Sequence, residues 1–112
     1  MDDSIIKKLL FDIHSSIETI EEFLGNSRNF EEYSKNKMLR NAVERNLEII
    51  GEATSRLLKI NSKIKISNSR RIVDARNKII HAYDEIEDET IWAIIINQLP
   101  ILKIEIDNLL KS

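Results

Sequence analysis

Only two glycines, Gly25 and Gly51, and one proline, Pro100, interrupt the 112 residues of this chain. A multi-stranded β fold turns every few residues, and its turns draw on glycine and proline. So sparse a supply of turn-formers leaves helices. The apolar pattern agrees. Ile6, Leu9, Leu10, Ile13, Ile17, Ile20 and Leu24 recur at steps of three and four. That spacing draws one stripe along a helix from about Asp3 to Leu24. Asp2, Asp3 and Ser4 suit its start as cap and dipole partners, and Gly25-Asn26 suits its stop. His14 sits beside the stripe, between Leu10 and Ile17. A partly buried, hydrogen-bonded histidine is preferred there over a ligand.

A turn over residues 25–29 follows. Asn29 with Glu32 has capping-box spacing, so a second helix is expected to begin there. Its first turn, Phe30 to Tyr33, is expected to separate from the main body near Ser34-Lys35. The main body then continues to about Lys59, with Leu39, Ala42, Val43, Asn46, Ile50, Ala53, Leu57 and Ile60 as its inner face. Asn46 is polar on that face and needs hydrogen-bond partners. Glycine in mid-helix costs about 1 kcal/mol relative to alanine. Close approach of another helix is the expected reason for Gly51.

Residues 61–68 form the longest loop, polar and basic, with Ile64 and Ile66 as anchors. Ser67, Asn68 or Ser69 caps a third helix, from about Arg70 to Ala82. Asp84, Glu85, Glu87, Asp88 and Glu89 favour the N-terminus of a fourth, expected from about Asp88 to Leu110. Its segment Ile91 to Ile96 is apolar all the way round. Such a helix is buried on more than one side, which suggests a second chain or a long central position. Pro100 should kink it, because proline lacks the backbone donor and its ring crowds the preceding turn. The expected fold is all-α: four main helices in an up-down bundle, one domain over residues 1–112, assembling as a homodimer.

Several function classes fall away. With no cysteine, disulfides, thiolate metal sites and a cysteine nucleophile are excluded. No apolar run approaches the ~18 to 20 residues of a membrane span. The acidic start Met1-Asp2-Asp3-Ser4 does not read as a signal peptide, and the expected location is the cytoplasm. The net charge of -2 is not that of a general nucleic-acid binder, but its distribution is uneven. From Lys59 to His81 there are seven basic residues and one acid, so this segment carries +6 against -8 elsewhere. Such a field guides an anionic ligand, or else marks a solvated face.

The chemistry-bearing residues gather at 76–83: Arg76, Asn77, His81 and Tyr83 within two helical turns. Arg76, Ile80 and Tyr83 share one helix face, while His81 stands about 140° from Arg76 around the axis. One straight helix does not aim both at one point, so either the helix loosens near His81 or another chain completes the site. Asn77 is four residues before His81 and is placed to orient its imidazole. Histidine and arginine together suit RNA cleavage without a metal. One group takes the 2'-OH proton, another protonates the leaving oxygen, and a guanidinium stabilises the phosphorane. Two copies of the helix in a symmetric dimer supply His81 and Arg76 twice. A structural reading stands beside this one, with Arg76 paired to Glu52 or Asp74 and His81 as a helix-end cation. Other chemistry is weaker. Neither histidine has a glutamate three residues before it, as a di-metal bundle requires. His81, Asp84 and Glu85 are a poor metal set, and there is no Gly-rich phosphate loop. No metal or cofactor is called for.

Arg76-Asn77-x-x-x-His81-x-Tyr83 resembles the Arg-x4-His-x-Tyr motif of HEPN-type toxins, and most closely the HepT family, also catalogued as DUF86-type. Arg45 to Ala53 (Arg-Asn-Leu-Glu-Ile-Ile-Gly-Glu-Ala) is similar to that family's second-helix signature, and Leu99-Pro100-x-Leu102 to its last helix. The resemblance covers essentially the whole chain. It implies an all-helical homodimer acting as a ribonuclease toxin on RNA. It also implies a partner, an MntA-like nucleotidyltransferase antitoxin that attaches AMP to the motif tyrosine. Carried over, Arg76 and His81 are catalytic, Asn77 is supporting and Tyr83 is the AMPylation site. Ala82 stands where the family often has glycine, and Asp84 where it often has an aromatic. The alternative is a non-catalytic helical dimer that binds and assists a partner nucleotidyltransferase.

Overall fold

The first helix of the computed structural model, α1 (Asp3–Leu24), keeps the expected bounds. The structure describes residues 3–26, 28–81 and 87–111, with the side chain of His81 set aside. Leu9, Leu10, Ile13, Ile17 and Ile20 of α1 are buried. The helix stops at Gly25, whose φ of 63° is open to glycine and strained for other residues. Its N–H donates back to the Glu21 carbonyl at 3.0 Å.

A short helix, α2 (Phe30–Lys35), starts as its sequence suggests, with Asn29 Oδ1 accepting from the Glu32 N–H at 3.1 Å. The break before the long helix α3 (Lys37–Ile60) falls at Asn36, just beyond the expected Ser34-Lys35. Asn36 fixes it there, because its side chain accepts from the Leu39 N–H at 3.0 Å and caps the new helix. The buried face of α3 includes Val43, Leu47, Ile50, Ala53, Thr54 and Leu57. Leu47 and Thr54 were not among the residues expected on that face. Thr54 is buried without penalty because its hydroxyl donates to the Ile50 carbonyl at 2.8 Å. Asn46 is only half-buried, and its amide donates to the Ala42 carbonyl at 2.9 Å.

Ile66 is buried and Ile64 packs against the core, so both anchor the 61–68 loop. Glu105 pins the loop's end, accepting from the Ser67 N–H at 3.0 Å and its hydroxyl at 2.7 Å. Asn68 then adopts a left-handed φ of 58°, which asparagine tolerates. Helix α4 (Ser69–His81) follows. Its predicted last residue, Ala82, lies outside the described residues.

The fourth predicted helix is not one continuous α-helix. It consists of α5 (Asp88–Ala93), a π-helical turn (Ile94–Gln98) and α6 (Leu99–Lys111). The Leu99 N–H reaches back five residues to the Ile94 carbonyl. The widened turn lies directly before Pro100, where a regular helix would set the proline ring against a carbonyl of the preceding turn. Part of the all-round apolar segment finds a second cover within the chain, while Ile96 stays exposed. Ile91, Ile94 and Ile95 are buried in the core. Trp92 meets Phe30 edge-on at 6.0 Å and Tyr33 at 5.3 Å. The small helix α2 therefore covers the Trp92 side of a segment for which the sequence pattern suggested a second chain or a long central position.

One core joins these elements. Helix α1 packs on both α3 and α6, α3 packs on α1 and α4, and α2 bridges α3 and α5. The molecule measures 44 × 32 × 19 Å. Its thinnest dimension is about two helix diameters, so the long helices keep a face toward solvent. No helix among the described residues is long and apolar enough to cross a membrane.

Candidate active site

Helices α3 and α4 run antiparallel, and at Gly51 they pack too closely for a side chain on α3. Its missing side chain leaves room for Arg76, whose Cβ would lie 2.3 Å from a Cβ built on the glycine. This close approach positions Arg76. Its Nη2 donates to Glu52 Oε2 at 2.6 Å, and its Nη1 donates to Asn77 Oδ1 at 2.8 Å. Of the two ion-pair partners considered for Arg76, the structure selects Glu52. The Arg76 Nε is buried and has no hydrogen-bond partner among the described residues. A buried donor left unmade costs free energy, so the guanidinium is held by two partners but not saturated.

The guanidinium stands at the wall of an open cleft of about 280 Å³ bordered by α1, α3 and α4. Ile80 lines it with Arg76, as their four-residue spacing implies. Arg45, Glu48, Glu52 and Arg56 come from α3, and Leu9 and Asp12 from α1. Arg45 Nη1 contacts Glu48 Oε2 at 3.1 Å. The cleft thus offers three guanidinium groups, two of them paired with carboxylates. It can take an anion if that anion displaces or shares those carboxylates.

His81 is the last residue of α4. The orientation of its ring and the whole of Tyr83 lie outside the described residues. The structure therefore joins Arg76 with Asn77, and the oxygen of Asn77 serves the arginine. Arg56 was missed on the sequence. Its signal was available: Arg45, Ile49, Glu52 and Arg56 are spaced four, three and four apart and form one row along α3.

His14 is far from this chemistry. Its Nε2 lies 2.9 Å from Asp107 Oδ1 and its Nδ1 3.4 Å from Glu18 Oε1, so it ties α1 to α6 in the structural role expected of it. Among the described residues no group of histidines and carboxylates is arranged to hold a metal ion.

A second polar cluster secures the start of α5. Ser34 Oγ donates to Asp88 Oδ2 at 3.1 Å, Arg40 Nε lies 3.8 Å from Asp88 Oδ1, and Arg40 donates to the Ser34 carbonyl. Burial, then the negative charge of Asp88, pushes the Glu44 carboxyl above its ordinary value, with Arg40 pulling it down. Burial and the carboxylates of Glu44 and Asp88 likewise raise the Tyr33 phenol.

The chain matches the ribonuclease HepT-like family over residues 13–109. It belongs to that family. Among its relatives, "Probable ribonuclease HepT" of Thermococcus cleftensis is 34% identical over 106 residues, covering 94% of this chain and 96% of that protein. "Putative RNase MJ1380" of Methanocaldococcus jannaschii is 36% identical over 104 residues, 91% of this chain and 94% of the relative. "Putative RNase MJ1216" of the same organism is 33% identical over 108 residues, 96% of this chain and 88% of the relative. No solved structure gives a significant match. Within this HepT-like chain the matched span includes both Glu52 and the Arg76–His81 pair.

Proposed function

We propose that this HepT-like chain is a metal-independent endoribonuclease, the toxin of a toxin–antitoxin pair, acting in the cytoplasm as a homodimer of one domain over residues 1–112. Arg76 and His81 from both protomers form a composite cleft. The ribose 2'-oxygen attacks the adjacent phosphorus and loses its proton to one imidazole. The departing 5'-oxygen takes a proton from the other, and Arg76 stabilises the charge that develops on the phosphorane. Asn77 supports Arg76. An MntA-like nucleotidyltransferase silences the toxin by attaching AMP to Tyr83, adding negative charge and bulk beside His81 so that RNA phosphate is repelled.

The observation that carries this reading is Arg76 itself. In a chain of the ribonuclease HepT-like family, the arginine of the Arg-x4-His pair is held by Glu52 and Asn77 at a cleft wall. The test is RNA cleavage with EDTA present, by protein expressed with and without a candidate nucleotidyltransferase, alongside intact mass. Cleavage by the unmodified protein alone, with a mass gain mapping to Tyr83, is expected. His81→Ala and Arg76→Ala should each abolish cleavage and toxicity while leaving a folded dimer. A His81→Ala protein as toxic as its parent overturns the catalytic assignment. A folded dimer that neither gains mass nor cleaves RNA overturns the toxin reading in favour of a non-catalytic docking role.

A further inference from the structure

A second cleft, of about 400 Å³, lies between α3 and α4. Lys59, Ser55 and Leu58 of α3 face Arg70, Ser69 and Val73 of α4 across it. It shares no lining residue with the first but lies further along the same two helices. Val73 is three residues before Arg76, and Lys59 is three residues after Arg56, on rows of helix surface that already border the Arg76 cleft. Arg70 lies roughly 9 Å along α4 from Arg76 and about 120° around its axis, turned toward α3 at the second cleft. The two helices are joined there by the 61–68 loop, where Lys63 and Lys65 are exposed.

The charge balance changes from the first cleft to the second. In the first cleft the carboxylates of Glu48 and Glu52 occupy Arg45 and Arg76. The residues lining the second include neither a carboxylate nor an aromatic ring. Among the described residues, ion pairs are made by Arg45 and Arg76 but by none of Arg56, Lys59, Lys63, Lys65 and Arg70. Glu105, the carboxylate nearest the loop's end in bonding terms, is occupied with Ser67. An acidic chain thus keeps a run of cations that make no ion pair among the described residues, with Asp74 the one acid in the same stretch of sequence.

We propose that this second cleft is a phosphate-tracking groove, which binds the backbone of single-stranded RNA as it leaves the Arg76 cleft, with Lys59 and Arg70 as its principal contacts. The inference rests on the reading of the Arg76 cleft as an RNA-cleaving site and adds what that site takes: a strand several nucleotides longer than the scissile step. Cations with serine hydroxyls and no aromatic platform recognise phosphate and sugar, not stacked bases. The groove therefore favours long over short substrates without choosing among sequences. Arg56, which lines the first cleft one turn before Lys59 of the second, hands the strand from one to the other.

The test uses the non-cleaving His81→Ala protein and oligouridylates of about 4 and about 16 nucleotides, titrated across a salt series. Adding Lys59→Gln and Arg70→Gln together should weaken binding of the longer probe by roughly tenfold at low salt and leave the shorter one unchanged. The slope of log affinity against log salt should fall by about 1.4, the value for two lost phosphate contacts on a single strand. A control carrying Lys7→Gln and Lys111→Gln removes the same charge elsewhere and should leave the slope unchanged. An unchanged slope in the Lys59/Arg70 variant overturns the groove. So does a variant that keeps its RNA affinity and loses a nucleotidyltransferase partner, which would make this a protein-docking face. Neither result touches cleavage by the parent protein and its loss in Arg76→Ala, on which the active-site reading stands or falls separately.

Discussion

Gly51 and Arg76 occupy one another's space: a Cβ on the glycine would stand 2.3 Å from the Cβ and 2.8 Å from the Cγ of the arginine. It would also come 3.3 Å from the Ile72 carbonyl oxygen, and because the Arg76 Cβ is fixed by its backbone, rotating the arginine side chain cannot relieve the clash. The glycine costs α3 helix propensity and in return lets α4 approach closely enough to set Arg76 against Glu52. Gly51→Ala should regain about 1 kcal/mol of helix propensity and lose about 1–3 kcal/mol to overpacking. The net expectation is a less stable protein, with a melting temperature lower by a few degrees, together with reduced RNA cleavage as α4 is displaced. A Gly51→Ala protein that is more stable and equally active would show that the helices separate without cost.

On the proposed reading, Glu52 competes with RNA phosphate for Arg76. The pair is partly solvated, with side-chain exposures of 27% for Arg76 and 50% for Glu52, so its share in stability is under about 1 kcal/mol. Glu52→Gln keeps an acceptor oxygen for the guanidinium and removes the opposing charge. In a non-cleaving His81→Ala background it should tighten RNA binding by roughly two- to fivefold at low salt, an advantage that fades as salt screens the field. Weaker binding would instead make Glu52 a positioning residue whose charge holds Arg76 in register.

Glu44 should make stability fall as pH rises out of the acid range. Its folded-state carboxyl is raised above 4.5 by burial first and then by Asp88, with Arg40 opposing and Glu48 adding to the rise. A group raised on folding contributes stability that is fully present below its unfolded value and is lost as pH climbs through the folded value. Replacing it by the neutral isostere removes that loss. Glu44→Gln should therefore raise the melting temperature relative to the parent at pH 7, with the difference shrinking toward pH 4. An equal difference at both pH values would mean that packing, not ionisation, distinguishes the two.

What the sequence made legible was whatever depended on neighbours a few residues away. The α1 stripe, its stop at Gly25 and the Asn29 cap are local patterns, and the structure keeps each of them. Gly51 was legible for a different reason, since a glycine in mid-helix demands a near neighbour. Arg76 demands a carboxylate, which narrowed its partner to Glu52 or Asp74, and only the packing of α3 on α4 chose Glu52. The misses are long-range or single-residue effects. Thr54 enters the core because its hydroxyl folds back on its own helix, which polarity alone conceals. The π turn before Pro100 inserts a residue into a helical repeat, and composition records only that a proline is there. At the site, the row from Arg45 to Arg56 was written in the spacing, but its meaning depended on α1 closing the other side. Arg76, Asn77 and His81 fall on α4 as expected.

Trp92 tests whether the apolar surplus of residues 91–96 is satisfied within one chain. Its ring is half-buried and meets Phe30 edge-on and Tyr33 at a tilt on α2, with Ile91, Ile94 and Ile95 facing the core beside it. Trp92→Ala deletes both ring contacts and leaves α2 with only its packing on α3 and its polar link to Asp88. The expected loss is about 2–3 kcal/mol, less than for a fully buried tryptophan. Protease cleavage within residues 30–36 should accelerate, because α2 then opens at lower cost. Mass by light scattering should match the parent, since this ring faces α2. A Trp92→Ala protein that dissociates while keeping its protease resistance would return this segment to a subunit interface and displace the intramolecular account.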